Sequence, residues 1–222
     1  MLTNLFTIFD PSSSMQGIPF GWLSSLVGFA LLGSSYWVGG GRILSPLYYI
    51  VSALKKEMAL ILPMKFFSIV IFPLALFLVI LFNNIPGLFA HIFTPTSHLV
   101  VTLTFSLPVW SGLFLYSALN KPFHLLSHFV PQGTPVVLMP FMVVIETISS
   151  IIRPLTLAVR LSANMIAGHL LLALLGGAVS VVSIWSGPSG LALEVLLCLE
   201  GAVAVIQAYV FATLTSLYLS EV

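Results

Sequence analysis

The chain has 222 residues, of which 59% are hydrophobic and 6% charged, with a formal net charge of +1. Its mean hydropathy is +1.15. Globular domains average about 25% charged residues, so this composition excludes a soluble domain. With no basic cluster beyond Lys55 and Lys56, it also gives no reason to expect a nucleic-acid partner. We read an all-α integral membrane protein, a single membrane domain over 1–222. It divides into N-terminal spans and a surface helix (1–134) and a long helical hairpin (135–222).

In chain order, residues 1–16 lack the basic start of a signal peptide and the arginines of a transit peptide. That fits a bacterial inner membrane or synthesis inside an organelle. Ile18 to Val38 is uncharged and of spanning length, about 20 residues being needed. Arg42 to Lys65 carries five charges among apolar residues and is expected to lie on the membrane surface. Phe66 to Leu81 reads as a second span, with Asn83 to Gly87 as a turn, and Leu99 to Leu119 as a third. Lys121 to Thr134 is expected to be a polar connection, and His91, His98, His124 and His128 to be surface residues.

Pro135 to about Val182 has no break except Pro140 and Pro154. As one helix it would run about 70 Å at 1.5 Å per residue, against about 30 Å of hydrocarbon. It must tilt steeply or bend, and Pro154 is the natural place. Ser186 to Gly190 reads as a turn, followed by a second long helix, Leu191 to Leu219. There Ala204, Ala208, Ala212 and Ser216 recur every four residues and let another helix approach closely, from this chain or a partner. Cys198, the single cysteine, lies among leucines and reads as a buried inert thiol. The basic loops place the C-terminus inside by the positive-inside rule.

Glu146 to His169 is the informative stretch. It is strongly apolar, yet holds Glu146, Arg153 and Arg160, three of the thirteen formal charges, together with Asn164 and His169. An ionisable group at the bilayer centre costs roughly 2.5–3.5 kcal/mol on insertion scales, so a proton or ion path is the expectation. Setting the two long helices antiparallel with Arg160 level with Gln207 sorts the polar groups into three depths. His169 falls beside Glu200, Asn164 beside Arg160 and Gln207, and Glu146 beside Glu221. Glu146, Arg153 and Arg160 repeat every seven residues, as do Glu200, Gln207 and Glu221 with Leu214 between, so each set drifts only about 20° per step. His169 is about 180° round from Arg160 at roughly 100° per residue. We therefore expect two polar pockets, offset in depth and azimuth, with a guanidinium between them. Carboxylates and a histidine exchange protons when their surroundings tune them, whereas arginine effectively cannot be deprotonated.

At these residues the chain resembles subunit a of rotary F-type ATP synthases. LAVRLSANMIAGHLL (Leu157 to Leu171) and LEGAVAVIQAYVFATLTSLYL (Leu199 to Leu219) carry the resemblance, with support from FTPTSHL, LPVW and VPQGTP. It implies that Arg160 faces the carboxylates of a rotor ring of c subunits, with Asn164 and Gln207 beside it. His169 and Glu200 would line an outer half-channel, and Glu146 and Glu221 the inner one. It further implies a proton-conducting, non-catalytic stator subunit of the mitochondrial inner membrane, its C-terminus in the matrix. Its neighbours would be lipid, subunit b and subunit 8, with no cofactor or metal. The rival classes are a secondary transporter, which should show internal repeats, and a structural or quinone-binding subunit of a respiratory complex.

Overall fold

The computed structural model describes residues 9–11, 20–25, 44–62, 69–89, 92–130, 138–181 and 186–221. Most of the expected first span, Ile18 to Val38, lies outside them, apart from a 3₁₀ turn at Phe20–Leu23 and the two serines after it. The described elements are all helical, in keeping with the expected class. Three of them, Leu99–Asn120, Met139–Gly177 and Gly190–Ser220, are long and apolar enough to cross a membrane.

Helix α1, Leu44–Ile61, is amphipathic as expected for a surface segment. Leu54, Met58 and Leu62 are buried at four-residue spacing while Lys55, Lys56 and Glu57 stay exposed. Helix α2, Ile71–Gly87, corrects the expected turn at Asn83 to Gly87, since the helix runs through it. Asn83 donates to the Val79 carbonyl at 2.8 Å, a bond back to the preceding turn that fits a helix interior. Pro86 falls in the last turn, where the helix is about to stop; Leu88 and Phe89 close it with bonds to Ile85 and Pro86, each 3.2 Å. Pro73 sits in the first turn, where its missing N–H would have had no partner.

A 3₁₀ turn at Pro95–Ser97 leads into α3, Leu99–Asn120. The expected connection after it contains a short helix, α4, Pro122–His128, started by a proline at its first position. Helix α5, Met139–Val181, has 43 residues and continues unbroken through the fully buried Pro154. Helix α6, Ser186–Glu221, has 36 residues and absorbs the expected turn at Ser186 to Gly190. Pro188 lies in its first turn, again at a position whose N–H needs no intrahelical acceptor. Helices of about 64 and 54 Å exceed the bilayer and must cross it obliquely or curve.

Helix α6 is the centre of the molecule, packing against α1, α2 and α5, while α3 packs on α5. Ala208 and Ala212 lie in one core cluster with Phe77 and Ile80 of α2 and Leu157 and Leu161 of α5. Ala204, Ala208, Ala212 and Ser216 are 0–2% exposed. The small-residue stripe therefore serves a neighbour within this chain. Cys198, by contrast, is exposed, correcting the buried thiol: Leu191, Val195, Leu197 and Leu199 around it are exposed too, a face suited to lipid.

Candidate functional site

The site forms where α5 and α6 face each other, and its register is set by one contact. Gly168 lies directly against the Glu200 carboxylate, so that any side chain at 168 would overlap it. Counting seven residues along each helix from this contact brings Leu161 level with Gln207, one residue from the expected pairing of Arg160 with Gln207. The same count brings Glu221 level with Thr147, one residue from Glu146. The side chain of Glu221 itself lies outside the described residues.

His169 and Glu200 are buried, at 8% and 9% exposure. The imidazole hydrogen-bonds to the backbone of Gly87 at the end of α2 and meets the edge of the Phe9 ring, 6.3 Å between centroids. His169 Nε2 and Glu200 Oε2 are buried without a protein partner. Buried polar atoms are nearly always paired, with protein or with ordered water, and here there is room for water. A cavity of about 180 Å³ opens between the helices, lined by the polar side chains of Asn84, Asn164, Glu200 and Gln207 among apolar ones such as Leu161 and Val203.

This cavity changes one expectation. Asn164 and Gln207, at about the depth of Arg160, open into the same chamber as Glu200 instead of a separate one. The small residues of the seam allow it: Gly168 makes room for the Glu200 carboxylate, and Ala204 stands on the cavity wall between the two depths.

Arg160 points elsewhere. It is exposed, on the face of α5 that also exposes Thr156, Ala163 and Ala167, and it does not line the cavity. Among the described residues no carboxylate lies within ion-pair distance of it. Farther along α5, Arg153 and Glu146 pair at 3.8 Å with both side chains partly exposed; their seven-residue spacing puts them on one face two turns apart, within reach of a long arginine. Glu194 is exposed.

Two residues at the cavity escaped the sequence reading. Asn84 was hidden by taking Asn83 to Gly87 as a turn; its signal was an amide at the end of an otherwise apolar run. Gly168 was hidden because nothing in a sequence says which glycine stands opposite a carboxylate. His98, expected on the surface, stacks with Trp22 and Phe93 at 5.5 and 5.3 Å. His91 and the side chains of His124 and His128 lie outside the described residues.

The sequence profile of the family described as "ATP synthase A chain" matches residues 21–220. The chain belongs to the ATP synthase subunit a family. Relatives called "ATP synthase subunit a" match over the whole of both chains: 49% identity in Anopheles gambiae, 48% in Aedes aegypti and 50% in Drosophila melanogaster. As a member of this family the protein is a membrane-sector subunit of the ATP synthase, serving proton transport and ATP synthesis. That removes the transporter and respiratory-complex alternatives. Within a subunit of a larger assembly, an exposed arginine on an apolar face is no longer anomalous, because another chain of the complex can cover it.

Proposed function

We propose that this subunit is the non-catalytic proton path of the synthase, in the mitochondrial inner membrane with its C-terminus on the matrix side. A proton from the outer side passes through the His169–Glu200 cavity, with Asn84, Asn164 and Gln207 on its walls, and neutralises a carboxylate on a rotor ring of c subunits. The neutral carboxylate then enters lipid, which rejects its ionised form. After nearly a full turn it releases the proton toward Glu146 and Glu221 on the inner side. Arg160 stands between the two routes as a fixed cation, a transient counter-ion for each arriving carboxylate and a barrier to direct leakage. The driving energy is about 2.3 kcal/mol per charge per 100 mV. Subunit b and subunit 8 are the proposed stationary neighbours.

The observation that carries this reading is the division of labour on α5. His169 is buried against Gly87 and the Phe9 ring, while Arg160, about 180° round the helix at roughly 100° per residue, is exposed with no carboxylate in reach among the described residues. A charge held on an apolar surface in a membrane is expensive without a partner, and a rotor carboxylate would supply one. The test is Arg160→Ala in the assembled complex. Proton-driven ATP synthesis is expected to disappear with assembly largely intact; retained synthesis overturns the proposal. His169→Ala is expected to slow proton uptake from the outer side, measured as the initial rate of a proton-gradient-driven turnover.

A further inference from the structure

We propose that the outer cavity fills through a mouth between the Thr94–His98 turn and the Phe9–Pro11 segment, with His98 as the relay residue upstream of His169 and Asp10 on the rim. The inference rests on the functional reading above and extends it to residues outside the α5–α6 seam.

The turn and the elements packed on it share a run of buried polar atoms without protein partners. His98 precedes α3, its ring held by Trp22 and Phe93, and the Ser24 hydroxyl donates to the Phe93 carbonyl at 2.7 Å. Although the residue is only partly buried, its Nε2 atom is buried with no protein partner. Two residues earlier Thr96 is 1% exposed with its hydroxyl in the same condition, in a turn that packs on α2, α3 and α5. Ser97 differs, since its hydroxyl donates to the Thr94 carbonyl. Thr94 packs against the α-carbon of Gly87, and Gly87 supplies the backbone bond to His169. Asn84, on the cavity wall, has both amide atoms buried and unpartnered. His98 and Thr96 on the turn, His169 beside Gly87, and Asn84 and Glu200 on the cavity wall thus each hold an unsatisfied buried polar atom, as do Asn83 on α2 and Ser106 on α3. One such atom is an irregularity; a set on elements packed against one another is the polar surface that buried water requires.

Working outward, Phe9 touches His169, while the Pro11 carbonyl and the Phe93 ring both crowd Gly21, within 3.2 and 3.3 Å of where its β-carbon would stand. The Phe9–Pro11 segment therefore closes over the same corner. Asp10, between those two contacts, is exposed, and a carboxylate at the rim of a low-dielectric opening raises the local concentration of cations. A histidine is the side chain suited to passing a proton on at physiological pH. Helix α5 carries Glu146, Arg153, Arg160 and His169, and α6 carries Glu194, Cys198, Glu200, Tyr209, Tyr218 and Glu221; of these, His169 meets Gly87 and Phe9 and Glu200 lines the cavity. Neither α2 nor residues 20–25 carry any, and α3 has only Tyr116, toward its far end.

The test uses the intact complex in sealed vesicles, with ATP synthesis measured against pH on the His169 side while the other side is held constant. For His98→Gln we expect an unchanged maximal rate at acid pH and a several-fold loss at alkaline pH, so that half-maximal synthesis needs a higher proton concentration. Asp10→Asn should shift the profile the same way by less. A stacking role alone would lower the amount of assembled enzyme and leave the profile in place. A His98→Gln profile coincident with the parent at equal assembly overturns the proposal. If that variant fails to assemble, Thr96→Cys in a Cys198→Ala background is probed with silver ion from the His169 side. Inhibition supports the mouth and full protection overturns it. Loss of synthesis in Arg160→Ala together with an unshifted His98→Gln profile would sink this inference alone, whereas persistence of synthesis in Arg160→Ala would sink the reading beneath it.

Discussion

Nine residues separate Arg160 from His169 on one unbroken helix, yet the chain treats the two in opposite ways. Around His169 it provides a backbone acceptor from Gly87, an aromatic edge from Phe9 and a carboxylate at the same depth in Glu200. Around Arg160 it provides an exposed face and no carboxylate in ion-pair reach among the described residues. Polar groups in an apolar medium need partners, so the difference separates what the subunit completes alone from what it leaves to a neighbour. A second contrast runs along α6. Toward α2 it is closed by Ala208 and Ala212, each 0% exposed in the core cluster, while its seam with α5 keeps a cavity of about 180 Å³. The first seam holds the helix in place, and the second holds water-sized space beside a carboxylate.

The sharpest way to break this contrast is to fill the open seam at its narrowest point. Gly168→Ala puts a methyl group where the Glu200 carboxylate lies, and Glu200 must swing away while the backbone need not move. Proton-driven ATP synthesis is expected to fall about 10- to 100-fold, the scale of an ångström-level misplacement, with normal assembly. Pairing it with Glu200→Asp, one methylene shorter, should recover part of the rate. Equal loss in the single and double variants would mean that the contact does not matter.

Overfilling the closed seam should do the reverse. Ala212→Leu inserts three carbons at a fully buried position in the core cluster and is expected to cost about 1–3 kcal/mol. That would be read as less assembled subunit and a lower unfolding temperature, with near-normal synthesis per assembled complex. Smaller again is Arg153→Ala, which removes a partly exposed pair with Glu146. About 1 kcal/mol or less is expected from thermal unfolding. Tyr209→Phe deletes an exposed 3.3 Å bond from the tyrosine hydroxyl to Glu57 and should change stability by under about 0.5 kcal/mol. A large effect there would mean that α1 is fastened to α6 more tightly than its contacts imply.

Particular residues show where the sequence was readable. Setting Arg160 level with Gln207, because it sorts the polar groups of both helices into common depths, came within one residue of the register that the Gly168–Glu200 contact fixes. It could do so because helical rise is constant and charges in an apolar run are scarce. Turn signals were misleading at Asn83 to Gly87 and at Ser186 to Gly190. Asparagine, glycine and proline mark turns statistically, but in a helix's first turn a proline lacks nothing that the helix would have used, and in its last turn it costs a single bond just before the helix stops. Cys198 and His98 were misassigned for a shared reason, that local neighbours do not reveal which face of a segment another element will cover.

Helical class, the number of long apolar segments in the C-terminal half and the depth of each ionisable group along its helix followed from the sequence itself. They depend on rise per residue and on the cost of charge in hydrocarbon, both local properties. Which side of α6 would close against α2 and which would stay open toward α5 was decided only by the assembled helices. So were the pairing of Gly168 with Glu200, the joining of Asn164 and Gln207 to the Glu200 chamber, and the placing of Asn84 on its wall. Those outcomes depend on which side chains from distant segments compete for one volume, and that competition exists only once the helices have packed.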